Sequence, residues 1–205
     1  MSALPPTGGD APPPPAAHPH LGGRIRFCVS CGGELALRKW ERGDGSMQLL
    51  CPRPGCGHVH FLDPKLAAGV IASRGGRALL VQRKHNPGKG LWTFPGGFVN
   101  RGEVVAAAAA REAREEAGIE VRTGPLLGVY SFPENPIVLV VYVGEILRGE
   151  PRPLDETTAV RFASPEEIVP AELAFETTRA ALQDWQVWMR EDRIPSSHPG
   201  GFPPR

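Results

Sequence analysis

The 205 residues include 25 glycines and 23 prolines, a share close to that of low-complexity sequence, yet 41% of the chain is apolar, enough for a buried core. With 23 basic and 22 acidic residues the net charge is +1, which excludes a polybasic membrane-surface protein and argues against an electrostatic nucleic-acid binder. Small polar metabolites are the expected partners. No stretch reaches the roughly 20 apolar residues that span a bilayer, and the start lacks the apolar centre of a secretory signal, so the expected location is the cytoplasm. In that compartment the four cysteines are read for metal before disulfides.

Residues 1–24 hold seven prolines and four glycines and residues 194–205 four more prolines and two glycines. Neither segment has enough apolar surface to offset the entropy of ordering it, so 1–24 and 193–205 are expected to be disordered tails, with His18 and His20 solvated. From Ile25 the composition changes. Cys28-x2-Cys31 and Cys51-x4-Cys56 each end in Cys-Gly, with Gly32 and Gly57. A glycine there lets the backbone turn and bring an amide toward a thiolate, as a zinc knuckle requires. Two knuckles make a closed, four-sulfur Zn2+ site that supplies the folding energy a segment this short lacks. Residues 25–62 are therefore expected to form a zinc ribbon, with His58 and His60 near enough to substitute for a cysteine; free thiols or a disulfide pair are the alternative. Five basic against three acidic residues in 25–62 give no argument for nucleic-acid contact.

Asp63-Pro64 punctuates the chain, and a second unit is expected over 65–192. Residues 66–73 and 77–83 are strand-like runs joined through Gly75-Gly76, a hairpin signal. The loop His85-Asn86-Pro87-Gly88-Lys89-Gly90 follows, then Leu91-Trp92-Thr93-Phe94-Pro95-Gly96-Gly97. Residues 103–117 contain no breaker, carry alanine from 106 to 110, and stop at Gly118, which predicts a helix with a glycine cap. Residues 120–129 and 137–147 predict strands, the second a buried one. A short strand at 160–163, a helical turn from Pro165 and a last helix over 175–190 complete the unit. Trp185-Gln186-Val187-Trp188 suits either the core or a homodimer contact.

The predicted central helix places Glu112, Glu115 and Glu116 within an arc of about 100°. Ala108 and Ala109, one turn upstream, are read as leaving open space above them. Clustered carboxylates of this kind suit Mg2+ or Mn2+, hard cations that take oxygen ligands and keep waters for a substrate phosphate to replace. Carboxyls with an ordinary pKa of about 4.3 are ionised at neutral pH and need no tuning for that role.

The run Gly97-x5-Glu103-x7-Arg111-Glu112-Ala113-x-Glu115-Glu116-x-Gly118-Ile119 resembles the Nudix box at every constrained position. The resemblance implies an α/β fold, an α/β/α sandwich around a mixed sheet, and hydrolysis of a nucleoside diphosphate linked to another moiety. Together with the cysteine ribbon and Leu173-Ala174-Phe175 before the last helix, it is similar to zinc-ribbon Nudix proteins that include FAD and ADP-ribose pyrophosphatases. The implied substrate is FAD or ADP-ribose first and NADH second, with a non-catalytic nucleotide sensor as the rival from another class; dimers are also common in the family.

Carried onto this chain, the resemblance makes Glu112 and Glu116 the main Mg2+ or Mn2+ ligands, Glu115 a third or water-mediated one, and the Gly96 carbonyl the completion of the site. Arg111 would orient the carboxylates, with Glu103 as its partner. The general base would be Glu115, Glu116 or, downstream, Glu156; the glutamate that related proteins carry just before Val160-Arg161-Phe162 is here Ala159. Trp92, Phe94, Tyr130, Phe132 and Phe175 are aromatics near loops, candidates to stack on an adenine or flavin ring.

Overall fold

The computed structural model describes residues 25–41, 43, 45, 47–61, 63–133 and 135–190. The expected tails, with His18 and His20, lie outside these residues. Contacts divide the chain into two units that meet at Asp63 and Pro64. In the first, β1 (Ala36–Lys39), β2 (Met47–Leu50) and β3 (Val59–His60) form a small antiparallel sheet. Among the described residues its apolar packing is Leu35 and Leu49 with the cysteines, flanked by Ile25 and Leu37, and an edge-on contact of Trp40 with Phe61, too little to stabilise a fold of this size unaided.

The second unit is built on a seven-stranded mixed sheet. β4 (Lys65–Arg74) and β5 (Arg77–Arg83) form the predicted hairpin, β8 (Glu120–Tyr130) and β9 (Ile137–Arg148) a second one, and β10 (Thr157–Ala163) closes the edge in the order β10-β5-β4-β9-β8. β9 runs parallel to β4 from Lys65↔Ile137 to Ser73↔Glu145. Its Ile-Val-Leu-Val-Val-Tyr-Val run is apolar on both faces because both faces of this central strand are covered.

Hairpin β4–β5 is paired only at its closed end, Ser73↔Ala78 and Arg74↔Arg77. Beyond that the two strands diverge, and the gap is filled by β6 (Trp92–Thr93), which pairs with β5, and β7 (Gly96–Phe98), which pairs with β4. The Pro95 carbonyl accepts the Val70 amide at 3.0 Å. This wedge delivers Gly96 and Gly97 to the C-terminal half of α1 (Val105–Ala117). Gly96 has no room for a side chain there: a Cβ would lie 2.9 Å from the Ala68 carbonyl oxygen and the Gly69 Cα.

Helix α1 covers one face of the sheet through Ala108, Ala109, Ala113 and Ala117, packed on Ala68, Val70, Leu79 and Val81. This corrects the sequence reading of Ala108 and Ala109. They leave no open space above the carboxylates; both are fully buried, and their small size brings the helix axis close to the sheet. Helix α2 (Glu176–Arg190) covers the other face with Ala181, Leu182 and Trp185 against Ile71, Leu80 and Val141. Trp185 is fully buried and Trp188 packs against the same cluster, so the aromatics of 185–188 serve the core. The three layers are the expected α/β/α sandwich. Among the described residues no helix is long and apolar enough to cross a membrane.

Candidate active site and cysteine centre

Helix α1 begins at Val105, two residues later than predicted, because Glu103 is spent on the preceding turn. Its carboxylate accepts the Asn100 amide at 2.9 Å and then reaches along the helix to Arg111. The C-terminal end is the predicted glycine cap, with Gly118 at φ 68° and its amide on the Arg114 carbonyl.

Arg111 organises the acidic face. Its Nε and Nη2 donate to both Glu103 oxygens at 2.8 and 3.1 Å, its Nη1 to Glu112 Oε1 at 2.7 Å and Glu115 Oε2 at 2.8 Å, and its Nη2 also to the Phe98 carbonyl at 3.0 Å. The guanidinium holds Glu103 down at about 2, the bidentate hydrogen bond being the main cause. Glu103, Glu112 and Glu115 also raise Arg111 above its ordinary value. Five acceptor oxygens suit the donor fork of a guanidinium and exceed the three donors of an ammonium.

Glu116 lies deeper. It is 6% exposed, and its Oε2 accepts the Gly96 amide at 3.1 Å. Burial, and then the charges of Glu112 and Glu156, push its carboxyl up to about 8 despite that amide and Arg83. Glu112 is likewise raised by burial, against the pull of Arg111. The expectation that these groups need no tuning is therefore incorrect: without a cation, the buried end of the cluster resists ionisation at neutral pH.

The donor set fits a divalent cation of the oxygen-preferring class. Among the described residues, hydrogen bonds occupy one oxygen each of Glu112, Glu115 and Glu116, which leaves the other oxygen of each as a donor. The cost of burying Glu112 and Glu116 as carboxylates is what a shared cation would offset. Gly97 is part of this cradle. A Cβ on it would sit 2.5 to 2.7 Å from the Glu112 carboxylate atoms, so Glu112 can rest against β7 only because residue 97 is glycine.

Glu156 joins the site through the loop that leads into β10. The Arg152 amide donates to the Ala117 carbonyl at 3.0 Å, the Leu154 amide to the Glu116 carbonyl at 3.2 Å, and the Thr157 hydroxyl to that same carbonyl at 2.8 Å. These bonds strap the loop to the end of α1 and leave Glu156 exposed within electrostatic reach of Glu112 and Glu116. Ala159 pairs with Gln82 beyond a register shift in β10.

The aromatic candidates separate. Phe94 is 2% exposed and Tyr130 8% exposed, both in the core, with the Tyr130 hydroxyl on Asp184 at 2.8 Å. Neither presents a ring face to a base, which corrects their assignment as substrate contacts. Trp92 and Phe132 are partly buried against the same core. The Trp92 ring is already covered by the Arg161 guanidinium at 4.3 Å. Phe175 lies 5.0 Å from the Arg83 guanidinium. Arg83 was absent from the sequence reading, although period-two alternation along β5 places it on the same face as Leu79 and Val81, and so beside α1.

A cleft of about 400 Å3 lined by Ser73, Arg122, Glu145 and Trp188 lies at the C-terminal end of β4. It contains none of these carboxylates, so the chemistry rather than this hollow locates the site.

In the first unit, the sulfurs of Cys28, Cys31, Cys51 and Cys56 all lie within 4.8 Å of one another, with Cys28–Cys56 at 3.7 Å and Cys31–Cys51 at 3.5 Å. All four are free of disulfide bonds. A tetrahedral Zn2+ with Zn–S bonds of 2.3 Å sets its sulfurs about 3.8 Å apart, so the donor set and spacing fit that ion. The Gly33 amide, with Cys56 and Cys51, holds the Cys31 thiol down at about 6, whereas Cys56, although the His58 amide favours its thiolate, is pushed up to about 12 by Cys31 and by burial. Four crowded thiols do not all ionise unless a cation shares their charge. The His58 Nδ1 is 3.2 Å from the Ser30 hydroxyl, and the cluster is complete without either histidine.

Comparison with known proteins agrees with this geometry. The model of the NUDIX domain matches residues 63–201. The ADP-ribose pyrophosphatase of Methanocaldococcus jannaschii is 33% identical over 79% of this chain and 95% of its own length. The NAD-capped RNA hydrolase NudC of Stutzerimonas stutzeri is 30% identical over 64% of this chain, which spans only 45% of that longer protein. Among solved structures, a NUDIX hydrolase from Nitrosomonas europaea superposes with a TM-score of 0.72 at 32% identity, over 82% of this chain and 92% of the other. A domain match over most of the chain, a relative of nearly the same extent and an Arg-Glu-x-x-Glu-Glu helix set on the expected sandwich converge on one family: the chain is a Nudix hydrolase.

Proposed function

We propose that the protein hydrolyses the diphosphate bridge of a nucleoside diphosphate derivative, ADP-ribose or FAD, to AMP and a second phosphorylated product, with Mg2+ or Mn2+ held by Glu112, Glu115 and Glu116. The observation that carries this reading is the cluster itself: buried Glu116 beside half-buried Glu112 and Glu115, each with an oxygen to spare, gathered by Arg111 and Gly97. Bound there, divalent cations neutralise the diphosphate oxygens, activate a water and stabilise the leaving phosphate.

The chain's own residues prepare that chemistry. Glu112 and Glu116 hold the cations with their free oxygens, and the Gly96 carbonyl is the proposed completion of the set. Arg111, fixed by Glu103, keeps the Glu112 and Glu115 carboxylates in one orientation, which removes reorganisation at the moment of reaction. Glu156, exposed at the end of a loop anchored on α1, is the proposed general base that takes the water's proton on its carboxylate. Phe132 and the exposed side of Trp92 remain the aromatic surfaces proposed to meet the base. The cysteine tetrad is proposed to hold a structural Zn2+.

ADP-ribose is favoured because the relative that bears that activity in its name matches almost end to end. NADH is the second reading, favoured by the NudC relatives and weakened by their greater length. Turnover of FAD, ADP-ribose, NADH and nucleoside triphosphates with Mg2+ or Mn2+, with products resolved by chromatography, separates these. AMP from ADP-ribose or FAD at the highest kcat/KM supports the proposal. Selective cleavage of nucleoside triphosphates overturns it, and absence of any turnover by folded protein favours a sensor.

A further inference from the structure

We infer that Arg83 is the arm that grips the substrate's diphosphate, and that Phe175, 92 residues away in the chain, is the residue that holds it in position. The inference rests on the diphosphate-hydrolase reading of the site. Two geometric observations place Arg83 there. First, β5 alternates: Ala78 and Leu80 pack on the α2 side while Leu79 and Val81 pack on the α1 side, so residue 83 falls on the α1 side. Second, Arg83 is the register partner of Thr157. Directly opposed residues share a face, and the Thr157 hydroxyl touches the Glu116 carbonyl at 2.8 Å.

The arm is set in advance. Its Nε donates to the Pro87 carbonyl at 2.8 Å, its backbone closes the 84–90 loop through Gly90 and Leu91 at 2.9 Å each, and its guanidinium lies over the Phe175 ring. A buttressed guanidinium loses less freedom when it binds an anion. Gly88 adds to the support, since a Cβ there would press on the Ala174 Cβ at 3.1 Å.

The neighbouring Arg161 makes an instructive contrast. It too lies over an aromatic ring, that of Trp92, but Glu172 neutralises it at 3.0 Å. Among the described residues no carboxylate comes within 4.0 Å of Arg83. Of this neighbouring pair, Arg161 fastens the 170–175 segment to the sheet, and Arg83 keeps its charge for a ligand. A planar fork facing a diphosphate makes paired, charge-assisted hydrogen bonds.

Inorganic pyrophosphate is the probe of choice because it has no ring to stack. Its binding in Mg2+ is measured by calorimetry for the full chain and for Arg83→Gln, Arg83→Lys, Phe175→Leu and Phe175→Tyr, alongside kcat and KM for ADP-ribose. Arg83→Gln is expected to weaken pyrophosphate about tenfold or more, and Arg83→Lys to recover only part of the loss. Phe175→Leu is expected to weaken it about threefold, Phe175→Tyr to restore it, and Phe175→Leu to add nothing in the Arg83→Gln background. Unchanged pyrophosphate binding in Arg83→Gln overturns the assignment of the arm. Unchanged binding in Phe175→Leu, or a further additive loss in the double variant, overturns the buttress. Should the wild type turn over no dinucleotide while Arg83→Gln still loses pyrophosphate, the substrate reading fails and the assignment of Arg83 stands.

Discussion

Gly97→Ala isolates the metal cradle from the fold. The new Cβ would lie 2.5 Å from Glu112 Oε1, 2.6 Å from its Cδ and 2.7 Å from Oε2, where ordinary contact begins near 3.4 Å, so the carboxylate must retreat by roughly 0.8 Å, on the scale at which misplacement costs about 10²-fold in rate. That carboxylate ends a flexible side chain and can swing away, and residue 97 does not use a left-handed backbone. Folding stability should therefore change by only about 1 kcal/mol, partly offset by the entropy that alanine removes from the unfolded chain. Gly96→Ala is the opposite case. Its Cβ meets the paired backbone of β4 at 2.9 Å, which cannot swing, so it should cost about 1–3 kcal/mol. The assay is thermal unfolding beside the Mg2+ dependence of ADP-ribose hydrolysis. Gly97→Ala should melt near the wild type, require more Mg2+ and lose kcat on the order of 10²-fold. Full activity with the same Mg2+ requirement would refute the placement of Glu112 as a ligand held against β7.

Other expectations concern the charges. Because Glu116 is raised to about 8, its neutral form stabilises the metal-free fold; that contribution is complete below the ordinary carboxylate pKa and lost as pH climbs through about 8. The melting temperature in Mg2+-free buffer should fall from pH 5 to 9, Glu116→Gln should flatten the profile, and a flat wild-type profile would contradict the burial argument. By the same linkage, apparent Mg2+ affinity should rise by up to about tenfold per pH unit below pH 8, measured by titrating the cation at each pH. Arg111→Lys keeps the charge but loses the fork to Glu103, Glu112, Glu115 and the Phe98 carbonyl, so kcat should fall on the order of 10²-fold with little change in KM; wild-type kcat would remove Arg111 as the organiser. Elemental analysis should find one Zn2+ per chain, and Cys28→Ser should lose it together with the amide protection of residues 25–61. Retention of both would show that the tetrad is not a metal site.

The helix of the box, its glycine cap, the β4–β5 hairpin and the cysteine spacing are readable because each rests on local chemistry: periodicity, a breaker, a fixed interval. Ala108 and Ala109 were misread because a run of alanines looks the same whether it faces a cavity or a sheet; only the packing of Ala68, Val70 and Leu79 decides it. Phe94 and Tyr130 stand in loop-flanking sequence yet fill the core, since the wedge of β6 and β7 between β4 and β5 is a tertiary event with no local signal. The raised Glu112 and Glu116 pKa values depend on the same burial. Glu103 and Arg111, eight positions apart, were paired correctly, while the neighbourhood of Arg83, Phe175 and Thr157 depends on strand register and on a segment 92 residues downstream.

The proposed function makes Glu112, Glu115 and Glu116 on α1 the cation ligands of a diphosphate hydrolase. AMP release from ADP-ribose in Mg2+, compared between the wild type and Glu116→Gln at matched folding, tests it most directly. Steady AMP production by the wild type, and a loss of at least about 10³-fold in a variant that melts no lower, is the predicted result. Equal rates in the two proteins would contradict it.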